Sequence, residues 1–158
     1  MFFLETLVVL IIKQLSSIRL QMLDIYQKTL SKNVTFSGIG LHSGKNCSIC
    51  IVPAKEDQGI VFKRIDLKKN NTIKANYKNV SSARLCTTLE NNYGVRVSTV
   101  EHLLAALYIT GIDNALVEID NEEVPIMDGS SEDFIKVLKK IDLIGQFKKR
   151  KYLKIINK

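Results

Sequence analysis

Short stretches of alternating or β-branched apolar side chains are the first regularity along this sequence. Alternation over about four to eight residues is typical of a β-strand with one buried face. Such runs predict strands at residues 29–35, 47–52, 59–64, 85–89, 95–97 and 115–119. A glycine-rich loop at residues 38–44 follows the first run, and this glycine density indicates positive φ angles or close backbone approach.

Helical periodicity replaces alternation at Ser98. Apolar residues then recur at the i, i+3, i+4 and i+7 spacing of one helical stripe, at Val100, Leu103, Leu104 and Leu107. Ser98 and Glu101 have the spacing of a capping box, in which each side chain bonds the other residue's N–H. Gly111 is the residue type that commonly follows a helix, so it is predicted to end this one.

A second amphipathic helix is predicted after the turn at residues 125–130. Its apolar face would carry Phe134, Val137, Leu138 and Ile141. Several strands and two helices that do not alternate strictly favour an α+β fold. The sequence therefore predicts a two-layer sandwich, in which a mainly antiparallel sheet packs against two helices.

The chain divides into three parts by composition. Residues 1–21 begin with an apolar run shorter than the roughly 20 residues that cross a bilayer, and they lack the features of a signal peptide. We expect them to be an upstream extension that is not native, with a weak interfacial helix as the alternative. Residues 22–145 have the pattern of one folded domain, and residues 146–158 resemble a basic linker.

The net charge of +7 is concentrated near the C-terminus of the 158-residue chain. Residues 30–144 hold fourteen Lys or Arg and fourteen Asp or Glu, whereas residues 145–158 contribute +6. A neutral domain body without an interleaved aromatic and basic stripe argues against nucleic-acid binding. The basic tail is interpreted as a solvated linker. The alternative is contact with an anionic partner, such as phospholipid headgroups or substrate phosphates.

Three cysteines are too few for a disulfide framework and favour a reducing, cytoplasmic setting. Cys47 and Cys50 form a C-x-x-C. Residues i and i+3 of a strand point to opposite faces, so the two thiols are not expected to share a metal. Cys86 begins a predicted strand and is interpreted as a small buried hydrophobe.

The chain contains two histidines, His42 and His102. His42 lies in the glycine-rich loop, and His102 lies in the first turn of the first predicted helix, next to Glu101. The positive end of the helix dipole favours the neutral imidazole, which is the form that binds a metal. Glu101 could reach a water molecule beside that metal. From spacing alone a simpler alternative stays open, in which Glu101 closes a capping box and His102 packs or lies at the surface.

Five segments, in this order and spacing, resemble the UDP-3-O-acyl-N-acetylglucosamine deacetylase family. They are Gly38-Ile39-Gly40-Leu41-His42-Ser43-Gly44, Leu85-Cys86-Thr87, Val97-Ser98-Thr99-Val100-Glu101-His102-Leu103, Gly111-Ile112-Asp113-Asn114 and Pro125-Ile126-Met127-Asp128-Gly129-Ser130. The resemblance covers residues 28–158. It implies two similar domains, each a sheet against two helices, with the active site between them. It also implies a zinc enzyme of lipid A synthesis in Gram-negative bacteria, which hydrolyses the 2-acetamido group of a UDP-linked, 3-O-acylated glucosamine.

The same resemblance implies roles for particular residues. His102 corresponds to the first of three zinc ligands, which are two histidines and one aspartate. Glu101 corresponds to the general base. The positions that correspond to substrate-lining residues are Leu41, His42, Leu85, Cys86 and Thr87.

The chain departs from the family pattern after His102. The other two zinc ligands form a His-x-x-x-Asp pair in the family's second domain, and no histidine follows His102 here. Residues 151–156 resemble only the first strand of that domain. A catalytic zinc takes three protein ligands, so we expect the chain alone neither to hold zinc tightly nor to turn over. A separate chain could supply the missing domain.

The alternative function is a non-catalytic folded module that binds a partner through the exposed interdomain face, which would be a contiguous apolar patch. The leading hypothesis expects the UDP-linked acylated glucosamine as ligand. The expected location is the cytoplasm, with at most peripheral contact with the inner membrane.

Overall fold

The computed structural model of this chain describes residues 25–152, 154 and 156. The predicted extension at residues 1–21 lies outside the described residues. The strands are β1 Tyr26–Leu30, β2 Val34–Ile39, β3 Asn46–Pro53, β4 Ile60–Arg64, β5 Thr72–Lys74, β6 Val80–Ser82, β7 Thr88–Glu90, β8 Arg96–Val97, β9 Ala115–Ile119 and β10 Leu143–Lys149. The α-helices are α1 Glu101–Ile109 and α2 Glu132–Leu138, and a 3-10 turn lies at Tyr77–Asn79.

A five-stranded sheet in the order β2-β3-β9-β4-β5 forms one layer. Its neighbouring strands are antiparallel except β4 and β9, which run parallel. Ala115, Val117 and Ile119 of β9 are buried in the alternating pattern that the sequence predicts. Helices α1 and α2 form the other layer, so the predicted α+β fold with a mainly antiparallel sheet is confirmed.

The core lies between the sheet and the two helices. Phe36 of β2 meets Phe134 of α2 edge to face, with ring centroids 4.9 Å apart. Leu103 and Leu107 of α1 are buried in the same cluster. Because burying one such side chain stabilises a fold by about 1.5–3 kcal/mol, this apolar layer fixes both helices on the sheet.

Helix α1 begins three residues later than Ser98, because Ser98 is engaged elsewhere. Ser98 forms a parallel bridge with Glu123. Its N–H and its hydroxyl both donate to the Glu122 carbonyl, at 2.9 Å and 3.1 Å. Val100 precedes the helix and gives no side-chain cap. The predicted capping box is therefore wrong.

The predicted end of α1 at Gly111 is confirmed. The Gly111 N–H donates to the Tyr108 carbonyl at 3.0 Å, and the next N–H, from Ile112, donates to the Leu107 carbonyl at 2.9 Å. This is a Schellman motif, which requires the positive φ of +78° at Gly111.

Helix α2 carries only part of the predicted apolar face. Phe134 and Leu138 are buried, but Val137 is 36% exposed. Adjacent helical positions differ by about 100°, so the burial of Leu138 rotates Val137 toward solvent, and Ile141 lies beyond the helix end. In the described part of the chain, no helix is long and apolar enough to cross a membrane.

The predicted strand at residues 29–35 is wrong as a single element. It covers the end of β1, a turn and the start of β2, and the Ser31 N–H donates to the Asp142 carbonyl at 2.9 Å within that turn. β1 leaves the main sheet and pairs antiparallel with β10. β10 continues through residues 146–149, which the sequence assigns to the linker; the division into domains itself stays a prediction.

The residue after β10, Arg150, is anchored rather than solvated. Its guanidinium donates to both carboxylate oxygens of Asp113 at 2.8–3.0 Å and to the Gly111 carbonyl at 3.0 Å. The Asp113 carboxylate also accepts the Lys28 N–H at 2.8 Å. The interpretation of the whole basic segment as solvated is thus wrong at Arg150, which ties the end of β10 to the end of α1.

The two cysteines of the C-x-x-C point to opposite faces of β3, as predicted. Cys47 is buried, Cys50 is half-buried, and both are free thiols. Cys86 is also free and is only half-buried, in a bend before β7. The interpretation of Cys86 as a buried residue at a strand start is therefore wrong.

In the folded chain at pH 8, Cys47 is expected to react with iodoacetamide much more slowly than Cys50 or Cys86. Burial first, and then the carboxylate of Asp120, raise the pKa of the Cys47 thiol to about 12, so little reactive thiolate forms. Mass spectrometry after partial alkylation would give the order, with the urea-unfolded chain as the control. Equal labelling of Cys47 and Cys50 in the folded chain would contradict this prediction.

Candidate functional site

The glycine-rich segment at residues 38–44 is the turn of the β2–β3 hairpin. The two strands pair as far as Ile39 and Asn46, and the Gly40 N–H donates to the Lys45 carbonyl at 2.9 Å. Leu41 is 60% exposed, and His42 beside it is also exposed. Both residues that the resemblance assigns to the substrate cleft are therefore accessible.

A buried carboxylate, Glu123, holds this turn in place. Glu123 is 1% exposed. Its oxygens accept the N–H of His42 at 2.9 Å, the N–H of Ser43 at 2.7 Å and the Thr99 hydroxyl at 2.9 Å. Burial alone would raise the pKa of Glu123, but these hydrogen bonds outweigh it and hold the pKa below its ordinary value. The carboxylate is thus ionised at neutral pH.

The role of Glu123 is not visible in the sequence, where it belongs to an acidic turn at residues 120–123. Its N–H partners are 81 and 80 residues away along the chain, so no local pattern reveals them. The sequence gives one indirect signal that this position is buried. Glu123 directly precedes Val124, an apolar residue that is fully buried.

Replacing Gly40 with alanine is expected to destabilise the chain by about 3 kcal/mol, because overpacking a tight site is costly. A Cβ on Gly40 would overlap the side chains of Ser43 and Glu123. Gly44→Ala is the control, since its Cβ would meet nothing within 4 Å. This variant adds only the free-energy cost of holding an alanine at a φ of +63°, which is about 1 kcal/mol. Urea unfolding would measure both variants, and equal losses would refute the close packing at Gly40.

The predicted base, Glu101, is the first residue of α1 and contacts the segment at residues 85–87. Its Oε2 accepts the Thr87 N–H at 3.0 Å. Leu85 has a φ of +67°, which a strand does not allow, so β7 begins only at Thr88 and the first half of the predicted strand at 85–89 is wrong. The resulting bend places Thr87 against Glu101 and leaves Leu85 86% exposed.

His102 follows Glu101 on α1 and is half-buried. Its carbonyl accepts the Ser131 hydroxyl at 2.9 Å, which ties the starts of α1 and α2 together. Among residues 25–152, 154 and 156, no three His, Cys, Asp or Glu side chains are grouped to hold a metal ion. A catalytic zinc takes three protein ligands, and a grouped set of three is not found in this part of the chain.

Two contacts connect the segments that the resemblance assigns to the site. Glu123 joins His42 to Thr99, which lies two residues before Glu101, and Glu101 joins α1 to Thr87. No hydrogen bond links His42 to His102 in the described residues. The arrangement places a carboxylate and an imidazole at the start of one helix, which is connected to two exposed turns.

A cavity of about 890 Å³ lies at the other end of α1. Its lining includes Tyr108, Ile109, Asn114 and Arg150. A helix of nine residues is roughly 13 Å long, so this cavity is remote from Glu101. It is not the site that the sequence predicts.

The family model of UDP-3-O-acyl N-acetylglycosamine deacetylase matches residues 27–158. The chain belongs to this deacetylase family. The UDP-3-O-acyl-N-acetylglucosamine deacetylase of Shewanella frigidimarina is 47% identical over 132 residues, which are 84% of this chain and 43% of the relative. Deacetylases of the same name from a Geobacter species and from Citrifermentans bemidjiense are each 50% identical over 129 residues, 82% of this chain and 42% of the relative.

The resemblance to the deacetylase family is therefore confirmed. This chain spans about half the length of the curated deacetylases that it matches.

Proposed function

We propose that this chain supplies part of the active site of an enzyme that removes the 2-acetyl group of UDP-3-O-acyl-N-acetylglucosamine by zinc-dependent hydrolysis. The observation that carries the proposal is the position of Glu101 and His102 in the first turn of α1, inside the region that matches the deacetylase family. Acid–base groups at the start of a helix have their backbone fixed by the helix, which favours a reproducible geometry.

In this proposal Glu101 is the general base, which accepts a proton from the water molecule that attacks the amide carbon. The Thr87 N–H occupies one acceptor position on Oε2. A carboxylate has about four such positions, so Glu101 can be oriented by Thr87 and still accept a proton. The contact would also keep residues 85–87 beside the reacting group.

His102 would hold the zinc ion as one of its ligands. A bound zinc ion would polarise the amide carbonyl as a Lewis acid and favour ionisation of water. The remaining ligands are proposed to come from a second domain or from a separate chain, because the described residues provide no full set. The chain alone is then expected to bind zinc weakly and to be inactive.

The substrate would contact the turns at residues 41–42 and 85–87. The exposed side chains of Leu41 and Leu85 suit the apolar parts of an acylated sugar, and His42 and Thr87 offer polar groups beside them. The protein is proposed to act in the cytoplasm on this UDP-linked acylated glucosamine, with at most peripheral contact with the inner membrane.

The proposal is tested by acetate release from UDP-3-O-acyl-N-acetylglucosamine. The native protein is this chain together with any chain that co-purifies with it from its own organism. It is expected to release acetate and to lose activity with a zinc chelator. The isolated 158-residue chain is expected to be inactive and to retain well under one zinc ion after dialysis. A native protein that releases no acetate with zinc present would refute the function. An active isolated chain with near-full zinc would refute the incomplete site.

A further inference from the structure

The backbone of Glu123 is held in place beside the segment that leads into α1, and its side chain extends from there to the turn at residues 38–44. It forms the parallel bridge with Ser98, and the Val124 N–H donates to the Ser98 carbonyl at 3.0 Å. The carboxylate therefore extends from a rigid attachment directly beside the segment that leads into α1.

The residue that redirects the chain into α1 is bonded to the same carboxylate. Thr99 is 2% exposed and has a φ of +55°, a conformation that L-residues rarely adopt. Such conformations persist where surrounding contacts hold them, and here the Thr99 hydroxyl donates to Glu123 at 2.9 Å. Two residues later the chain reaches Glu101.

We propose that Glu123 is a positioning residue, whose buried carboxylate holds the Leu41–His42 turn and the first turn of α1 in one arrangement around the substrate. This inference rests on the proposed function and extends it to a residue that would not itself touch substrate. Glu123 acts through the backbone N–H groups of His42 and Ser43 on one side and through Thr99 on the other.

A carboxylate suits this position better than an amide does. Glu123 accepts three hydrogen bonds and donates none. In Glu123→Gln, one oxygen would be replaced by an NH₂ group facing an N–H or a hydroxyl, at almost unchanged volume. The variant therefore loses at least one of the two N–H bonds to the turn, and it loses the charge that strengthens the other, with little change in packing.

The first test is amide hydrogen exchange of the isolated chain by NMR. In Glu123→Gln, at least one of the His42 and Ser43 amides is expected to exchange on the order of 10–100-fold faster, while core amides such as Val117 change much less. Thr29→Val is the matched control. Thr29 is buried, and its hydroxyl makes two hydrogen bonds at the opposite end of β9. If neither the His42 amide nor the Ser43 amide accelerates more than the Val117 amide, Glu123 is a general stabiliser and the proposal is overturned.

The second test is steady-state kinetics of the native protein. Glu123→Gln is expected to lower kcat/KM roughly tenfold per folded molecule, whereas Thr29→Val leaves kcat and KM within about twofold. Equal kinetics for the two variants would overturn the proposal. If Glu123→Gln does not fold, Thr99→Val is the second variant. It removes the hydroxyl bond to Glu123 at almost constant shape, and it should speed exchange of the same amides and lower kcat/KM in the same direction. A native protein without deacetylase activity refutes the proposed function, while the exchange measurement still decides whether Glu123 positions the two turns.

Discussion

Replacing Glu101 with glutamine is expected to lower kcat for deacetylation by about 10²–10⁴-fold, the usual contribution of a general base. Glutamine cannot accept the proton, but its side-chain oxygen can still accept the Thr87 N–H that Glu101 bonds at 3.0 Å. The substitution thus separates proton transfer from the anchoring of residues 85–87. Acetate release by the native protein would give kcat, and zinc content, measured in parallel, is expected to be unchanged.

The matched control for this variant is Glu132→Gln. Glu132 is also the first residue of a helix, but it is exposed and pairs with Lys136 at 3.0 Å on the surface of α2. Surface pairs of this kind contribute little to stability, so kcat and folding should both be unaffected. A Glu101→Gln protein with more than about a tenth of normal kcat would not fit the role of general base.

Replacing Asn114 with alanine is expected to lower the free energy of unfolding by roughly 3–5 kcal/mol, because several buried hydrogen bonds are lost together. Asn114 is 1% exposed. Its Nδ2 donates to Gln27 and to Gln146 at 2.8 Å and 2.7 Å, and its Oδ1 accepts the Gly59 N–H at 2.7 Å. One side chain therefore satisfies polar groups from β1, β10 and the start of β4.

Urea unfolding followed by circular dichroism would measure this loss. Asn121→Ala is the control, since both hydrogen bonds of the Asn121 side chain, 3.2 Å to the Asn46 carbonyl and 2.8 Å from the Glu122 N–H, are exposed, and it should cost less than about 1 kcal/mol. A domain of this size has only about 5–15 kcal/mol of stability, so Asn114→Ala should melt far below the normal temperature. Similar midpoints for the two variants would contradict the importance of this network.

The strands that the sequence predicts well are those with an uninterrupted burial pattern. Residues 115–119 alternate, and β9 has the predicted bounds because one face of this central strand is covered by the helices. Strands β5 and β6, at Thr72–Lys74 and Val80–Ser82, have three residues each and are too short to display a period. They form through pairing with neighbours, which the local sequence does not encode.

The start of α1 illustrates how a good local pattern can lose to tertiary contacts. Ser98 and Glu101 have the spacing of a capping box, which is worth about 1 kcal/mol. In the fold, Ser98 bonds the Glu122 carbonyl and Glu101 bonds Thr87. The carbonyl that Ser98 bonds is 24 residues away, so the competition cannot be judged from the helix sequence alone.

The candidate site was predictable to the extent that it is carried by contiguous segments. Glu101, His102 and the two turns lie in motifs whose order resembles one family. The contacts that connect those motifs, through Glu123 and Thr87, join residues distant along the chain. Such contacts depend on the sheet topology and therefore require the folded structure.

The pairing of β1 with β10 has a consequence for how the domain folds. Tyr26 lies opposite Lys149, so this ribbon closes a loop that contains nearly the whole domain. Closing so long a loop costs more chain entropy than closing the β2–β3 hairpin, and pairings of high contact order slow folding. During synthesis β1 emerges early, but β10, the strand with which it forms its ladder, leaves the ribosome only much later. The ladder between β1 and β10 is therefore expected to be the last to form, and the side of β1 that faces β10 remains an open edge for most of the time that translation takes.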